Sequence, residues 1–565
     1  MPLLDHSRFY RYDDLQHILV QFAAEYPRYI RLATIGQSYE KRDIVLVTLT
    51  DHDCGPAEDK PAFWLDGNIH ASELAASAAC LYFIEWIVKG IGTNKDVDYC
   101  LATRSFYICP RINPDGAEWA LADSPRLVRS STRRYPYDED VHEGLIIEDI
   151  DGDGAILEMR IEDANGPWKP HPDDSRLLVR RDPTDRGGTY YRVLPEGRFA
   201  NFDADRLIIP PPPENLDLNR NFPANWRQEF EQQGAGPYPG SEPEIRAMLD
   251  FIVAHKNICA GLSFHTFSGV LLRPSSQLAD DKLPPEDLWI YQAMGKKGEA
   301  LTGYPAISIF EDFSYFPGQT LGGSFDWLYE HHGAFLWVAE IWNPKKAAGI
   351  DNDDYIGWFR DHDSADDLKM LQWSDRELDG RGYLPWRAFD HPQLGPVELG
   401  GWDKSYAFRN PPPRFREAEI ARFPPWILWQ ALILPAIRIR DLRIEQIDEQ
   451  DNHVTARVRL SIENSGWLPT YVTKLAQKRQ LSRGLIAEIR NPEAVQLIAG
   501  KAREMGGDLQ GWSSVHPAQS FWNPEDATAD RHVFEWVMRA ARGTSISIAV
   551  SHDRAGRIER TLTLG

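Results

Sequence analysis

The stretch "WLDGNIHASELAAS", Trp64 to Ser77, sets His70 and Glu73 three residues apart, where an apolar run gives way to a helix-like pattern. Both are side chains that bind metals. In an open α/β sheet, ligands collect at the carboxyl ends of the strands. His70 falls at such an end, and Glu73 follows in the first helical turn, able to point back to the same spot. Alone the pair is a weak signal, because most such pairs are a solvated Glu beside a core or surface His.

Two further strand ends add weight. In "GLSFHTFSG", His265 follows an apolar strand just where the polar residues Thr266 and Ser268 begin. A single His there would read as a satisfied core residue. In "FLWVAEIW", Glu340 stands in an otherwise apolar strand. A buried carboxylate without a partner is costly, so it needs a metal, a cation or a catalytic role; an Arg supplied from elsewhere is the bland explanation. Two His and one Glu make a three-ligand zinc shell whose fourth position stays open for water, a catalytic rather than a closed structural arrangement. Glu340 would then act as general base on that water. In "NLDLNRNFP", read as an extended segment, Asp217, Asn219 and Arg220 face one way. Arg220 is suited to grip a carboxylate bidentately, Asn219 to add a hydrogen bond, and Asp217 to hold a ligand histidine from behind.

The elements that must position these residues are legible as periodicities. "YDDLQHILVQFAAEYP" has Leu15, Ile18, Leu19 and Phe22 at helical spacing and predicts a helix capped by Asp13 or Asp14. "DIVLVTLT", "AFWLDGNI", "SFYICPRINPDG", "ICAGLSFHTFSG" and "GAFLWVAEIWN" read as buried strands, and "ASELAASAACLYFIEWIV" as a helix. "SEPEIRAMLDFIVAH" predicts a helix opened by a capping box from Ser241 to Glu244. Such alternation indicates an α/β sheet covered on both faces. Residues 124–215 interrupt the rhythm. They are polar, rich in Arg and Asp, end in the prolines Pro210 to Pro213, and read as an insertion with its own small sheet. Within them "GLIIEDIDGDGAILEMRI" predicts a hairpin with "DIDGDG" at or near its turn. Prolines near 410–425 mark a boundary, and from Ile437 onward period-two alternation predicts a C-terminal β-sandwich. The division expected is therefore residues 1–425 and 430–565.

With 565 residues the chain exceeds one ordinary core, and 42% hydrophobic residues allow large ones. A formal charge of −22 repels phosphate backbones and anionic lipid, which argues against nucleic acid and membrane surfaces as partners. Five cysteines (Cys54, Cys80, Cys100, Cys109 and Cys259), an odd number with no close CxxC pair, argue against a disulfide framework and a thiolate zinc site. The N-terminus lacks a basic n-region and an apolar h-region, and no apolar run reaches about 18 residues, so the simplest expectation is a cytoplasmic protein unless a leader has been trimmed.

Taken together, "GNIHASE", "NPDG", "RLVRSSTR", "DLNRNFP", "FHTFSG" and "GGSFDW", followed by the "AE" of Glu340, resemble the zinc carboxypeptidase family, the funnelin-type metallocarboxypeptidases, in the family's order over residues 10–345. The resemblance implies an α/β fold: a mixed-sheet α/β/α carboxypeptidase-like catalytic domain with an inserted subdomain, plus the C-terminal β-sandwich. It implies one Zn2+ per chain on His70, Glu73 and His265, Glu340 as catalytic glutamate, and Arg129 polarising the scissile carbonyl. Asn219 and Arg220 would clamp a peptide's free C-terminal carboxylate, with Arg126 nearby, and Asp217 would partner His70. Phe325 falls at the family's side-chain selectivity position and disfavours a pocket that reads basic C-terminal residues. Arg273 is a charge in or near that pocket, or a structural salt bridge. One departure concerns the family's substrate-capping tyrosine, whose place falls at Gly318, with Tyr315 and Phe316 close by.

In the insertion, Asp149, Asp151, Asp153 and Gly154 occupy the first, third, fifth and sixth places of a calcium loop, but the twelfth is Arg160 rather than Glu. Ca2+ binding and an acidic turn both stand open, and the longer DGDG-containing bacterial-type members of the family are similar here. Three functions remain: a zinc carboxypeptidase; a zinc amidase or deacylase acting on acyl-amino acids or cell-wall γ-glutamyl bonds; and a non-catalytic binding protein on the same fold.

Overall fold

The computed structural model describes residues 4–141, 143–203, 205–313, 323–514 and 526–565. Its centre is an eight-stranded sheet in the order Ile30–Gln37, Asp43–Leu49, Ser105–Cys109, Ala62–Gly67, Ile258–Thr266, Phe335–Ile341, Val270–Arg273 and Ala306–Ser308. The middle strands Ser105–Cys109, Ala62–Gly67, Ile258–Thr266 and Phe335–Ile341 run parallel, and antiparallel pairings flank them. The sheet is thus mixed, as expected.

Side-chain alternation along the strands builds two cores. Phe63, Leu65, Leu262, Phe264 and Trp337 face one layer, which contains the helices Tyr12–Glu25, Leu74–Gly90, Pro285–Thr302 and Pro424–Leu432. Ala62, Trp64, Leu336 and Val338 face the other, where Ile245, Met248 and Ile252 of the helix Pro243–Ala254 pack. Burial on both faces explains why these strands read as unbroken apolar runs rather than as alternating ones.

Two helix starts differ from expectation. The first helix begins at Tyr12, and its free N–H is met by Glu118 Oε1 at 2.6 Å, not by Asp13 or Asp14, which lie within the first turn. Pro243–Ala254 has no capping box: Ser241 Oγ donates to Glu242 Oε1, and Glu244 Oε1 accepts from Tyr39 N–H at 2.8 Å. In both, a distant partner satisfied a group that a local one was expected to satisfy.

The DGDG stretch is not a hairpin. Gly144–Ile147 pairs with Gly197–Ala200, whereas Glu158–Glu162 joins a six-stranded sheet. That sheet is not the insertion's alone: the hairpin of Tyr383–His391 and Gly395–Trp402 completes it by pairing with Glu158–Glu162. Beyond Ile437, two four-stranded antiparallel sheets enclose Val458, Leu460, Trp536, Ile548 and Val550 in a separate core, the β-sandwich. Among the described residues no single helix is long and apolar enough to cross a membrane; the apolar helix Leu74–Gly90 lies buried against the central sheet.

Candidate active site

The central strands end in the residues that carry charge. His265 is the last residue but one of Ile258–Thr266, and it lies in register beside Glu340 of the parallel neighbour Phe335–Ile341. On the other side, Phe264 registers with Gly67, the last residue of Ala62–Gly67. A Cβ at Gly67 would meet the Ala76 carbonyl oxygen at 2.7 Å, so only glycine lets this strand end approach the helix Leu74–Gly90 so closely. Asn68 then adopts φ +60°, a conformation open to Asn at small cost. Its amide Nδ2 donates to the carbonyls of His70 and Ala71, at 2.7 and 3.2 Å, and holds the loop that presents His70. Glu73 precedes the first residue of the helix but does not cap it; its carboxylate turns inward and accepts from Thr266 N–H at 3.2 Å.

Three side chains meet there. His70 Nδ1 lies 3.0 Å from Glu73 Oε1, His265 Nδ1 lies 3.1 Å from Glu73 Oε2, and the two Nδ1 atoms are 3.1 Å apart. All three residues are buried. Tetrahedral zinc with bonds of about 2.0–2.1 Å to nitrogen has ligand–ligand edges of about 3.3 Å. The observed spacings come within a few tenths of an ångström of that, and two imidazole nitrogens with one carboxylate form a zinc-type donor set. The residues present therefore fit Zn2+.

Asp217 backs this set. Its Oδ1 lies 3.1 Å from His70 Nε2, and its Oδ2 accepts from Arg129 Nε at 3.0 Å. Burial opposes the charge on Asp217, but Arg129, Arg220 and His70 outweigh it and hold the carboxyl well below the ordinary carboxylate range. Glu73 behaves likewise: burial is outweighed by His70 and His265. Arg129 Nη1 also donates to Glu73 Oε1 at 3.3 Å. Burial pushes Glu340 the other way, up to about 7, with Glu73 adding to the rise and His265 and Arg129 opposing it. Two carboxylates in one site are thus driven apart, one held charged and one able to exchange a proton near neutrality.

The "NLDLNRNFP" segment is not extended. Asp217 Oδ1 accepts from Asn219 N–H at 2.9 Å and opens a tight turn over Leu218–Arg220. The turn gathers the three polar residues, which alternation could not have done, since the adjacent Asn219 and Arg220 would point to opposite faces of a strand. Asn219 Oδ1 accepts from Ser324 N–H at 3.1 Å, which leaves its Nδ2 as the amide's donor. The Arg220 guanidinium donates to the Asn219 carbonyl at 2.9 Å and lies 4.0 Å from Asp217.

Other expected residues lie apart. Arg126 stacks 3.6 Å over the Trp119 ring and pairs with Glu214 at 3.3 Å. Phe325 is buried in the second core, and a Cβ at neighbouring Gly323 would touch both Phe325 and Asn219. Arg273 donates to Asp280 Oδ1 at 2.7 Å, the salt bridge rather than an open pocket charge. Gly318, Tyr315 and Phe316 lie outside the described residues. Asp149, Asp151 and Asp153 do cluster, but Arg387 donates to Asp153 at 2.7 Å and also reaches Asp151. No motif had pointed to Tyr355, Phe359, Arg360 or Arg409, which line the cavity of about 280 Å3 beside His70, Glu73, Arg129 and Glu340.

Residues 15–352 match the family described as zinc carboxypeptidase, more than half of the chain, and the chain belongs to that family. Residues 436–563 match a second family described only as a domain of unknown function. Carboxypeptidase B of Astacus astacus is 26% identical over 284 residues, covering 49% of this chain and 69% of its own. Carboxypeptidase A2 of Mus musculus is 23% identical over 328 residues, covering 57% of this chain and 60% of its own. The chain thus spans between three-fifths and seven-tenths of these two relatives. The solved carboxypeptidase A of Helicoverpa armigera aligns over 66% of this chain and 74% of its own, at 17% identity and a TM-score of 0.42, and the family assignment stands without it. His70, Glu73 and His265 form a metal-binding triad consistent with a zinc metallocarboxypeptidase.

Proposed function

We propose that the protein is a zinc-dependent metallocarboxypeptidase that hydrolyses the last peptide bond of peptides with a free C-terminal carboxylate. The observation that carries this reading is the meeting of His70, Glu73 and His265 within hydrogen-bond distance of one another, beside a half-buried Glu340. Zn2+ held by these three would supply Lewis acidity to the carbonyl and acidify a water. Glu340, as carboxylate, takes a proton from the attacking water on a side-chain oxygen and returns it to the leaving nitrogen. Arg129, held by Asp217 and Glu73, presents a cation to the oxygen that gains charge. Asn219 Nδ2 and Arg220 clamp the terminal carboxylate, and Asp217 keeps His70 with its proton on Nε2 and its lone pair on Nδ1. Phe325 favours an apolar over a basic last side chain; Arg273 is engaged by Asp280 and has no part in this reading.

The insertion with its DGDG loop supports placing the chain among the longer bacterial-type funnelins. Residues 1–425 would form the catalytic part and 430–565 an accessory β-sandwich. Calcium is left out of the proposal, because Arg387 reaches Asp151 and Asp153, and Asp149 accepts from the N–H groups of Gly152 and Gly154. A binding protein would have no use for Glu340, a carboxylate at the end of an otherwise buried strand beside the metal-binding triad. An amidase would use the same shell and clamp, so the test includes its substrates. Peptides with free or amidated C-termini, and acyl-amino acids, are incubated with the protein, with and without a zinc chelator, and followed by mass spectrometry. Stepwise loss of last residues from free peptides alone, stopped by chelation, is expected. Internal cleavage, trimming of amidated peptides, or turnover of acyl-amino acids alone would overturn the proposal.

A further inference from the structure

The cavity that touches His70, Glu73 and Glu340 is closed on one side by Tyr355, Phe359 and Arg409, all beyond the segment 15–352 that matches the family. A second cavity of about 270 Å3 adjoins it, and the two share Phe267, Phe359 and Arg409. The rest of its wall combines the apolar Trp358, Met370, Trp402 and Phe408 with the polar His362, Asp367 and Lys404. The polar groups at its rim are engaged. His362 Nε2 lies 3.0 Å from Asp367 Oδ1, its ring stacks on Trp358 at 4.0 Å between centroids, and Lys404 Nζ donates to Glu158 Oε1 at 2.8 Å. With these groups paired, the second cavity offers mainly aromatic surface, and Arg409 is the charge it shares with the metal cleft. Phe267, two residues beyond His265, stands between the two spaces. Its ring meets Phe359 edge-on, 5.1 Å between centroids, and the Arg409 guanidinium lies 5.6 Å from its centre. Phe359 is 39% exposed, a large apolar ring left facing water at the rim.

The residues that line this pair of cavities bear on which part of a substrate it would meet. Asn219, Arg220 and Phe325, the residues for the terminal carboxylate and last side chain, line neither cavity. A chain anchored by its last residue at that clamp has its upstream residues outside it, and the cavities lined by Phe267 and Phe359 are space beside the metal triad that the clamp residues do not line. Resting on the carboxypeptidase reading above, we propose that the second cavity is a subsite for an aromatic side chain in one of the two residues immediately upstream of the scissile bond. Phe359 forms its outer wall, and Phe267 and Arg409 mark its junction with the metal cleft. Aromatic rings pair edge-to-face at the spacing Phe267 and Phe359 already show, so an incoming ring extends an existing cluster and removes the exposed face of Phe359 from water. The segment from Tyr355 to Arg409 thus gives the family's hydrolytic centre a selectivity on the upstream side.

The test uses zinc-loaded full-length protein and peptides with one constant last residue, carrying Phe or Gly at the second or third position from the C-terminus. kcat/KM is measured for each, and Kd is measured by calorimetry for the same peptides with a reduced, uncleavable last bond. At one of the two positions, Phe is expected to exceed Gly about tenfold in both quantities, the order of discrimination that a well-filled apolar pocket gives. Phe359→Ala, at an exposed site, and Phe408→Ala, independently, are expected to lower that ratio below about threefold. Phe and Gly equal within about twofold at both positions, in kcat/KM and Kd, would overturn the subsite. If no peptide is trimmed but the Kd ratio holds, the reaction assigned above falls while the subsite stands; trimming without any ratio gives the reverse.

Discussion

His70 and Asp217 are joined through the imidazole: Nε2 lies 3.1 Å from Asp217 Oδ1, while Nδ1 of the same ring faces Glu73 and His265. A carboxylate behind a ligand histidine fixes the tautomer and raises the basicity of the ligating nitrogen. Arg129 and Arg220 help to keep that carboxylate charged in spite of its burial. Asp217→Asn is expected to bind Zn2+ about 10- to 100-fold more weakly in a chelator competition. An unchanged affinity would show that Asp217 holds only Arg129 and the turn.

Glu340 is the proton carrier in this account and not a metal ligand. Glu340→Gln is expected to retain one Zn2+ per chain by elemental analysis while kcat falls about 10²- to 10⁴-fold. Turnover close to that of the wild type would remove Glu340 from the chemistry.

The clamp assigns Arg220 a charge-assisted contact with the substrate's last carboxylate. Arg220→Ala is expected to lower kcat/KM for free-acid peptides about 10²-fold, mostly through KM, and to erase the preference over amidated peptides. A retained preference would place the clamp elsewhere.

Asp326, next to Phe325 in sequence, is fully buried and accepts from Ser276 N–H at 3.0 Å. Burial pushes its carboxyl from 3.8 up to about 7. Because the folded-state value is the higher one, the stabilisation from its protonated form is complete below pH 3.8 and is lost as pH rises through about 7. Asp326→Asn removes this titration. Relative to wild type, the variant is expected to gain on the order of 2 kcal/mol between pH 5 and pH 8 in urea unfolding. A parallel shift of both proteins with pH would contradict the assignment.

Much of the site was legible because its residues interrupt strands whose neighbours are buried on both faces. In Ala62–Gly67, Ile258–Thr266 and Phe335–Ile341 every position but Glu340 is fully buried, so His265 and Glu340 stood out against apolar runs, and His70 stood just beyond one. The sandwich was legible for the opposite reason, since one-sided burial leaves a period of two. What stayed hidden depends on partners far away in sequence. The Asp217 turn is closed by a side chain that a pattern of alternation cannot show. The DGDG strands choose Gly197–Ala200 and the hairpin 383–402 over one another. Phe359 and Arg409 reach the metal cleft only through tertiary packing, and nothing in their spacing marks them.

The proposed chemistry requires that His70, Glu73 and His265 share one zinc ion. Anomalous diffraction at the zinc edge, from crystals of the protein purified with zinc, tests it most directly. One strong peak per chain is expected, about 2.0–2.1 Å from the Nδ1 atoms of His70 and His265 and about 2.0–2.2 Å from a Glu73 oxygen. A fully occupied peak elsewhere, with the two imidazoles turned away from each other, would contradict it.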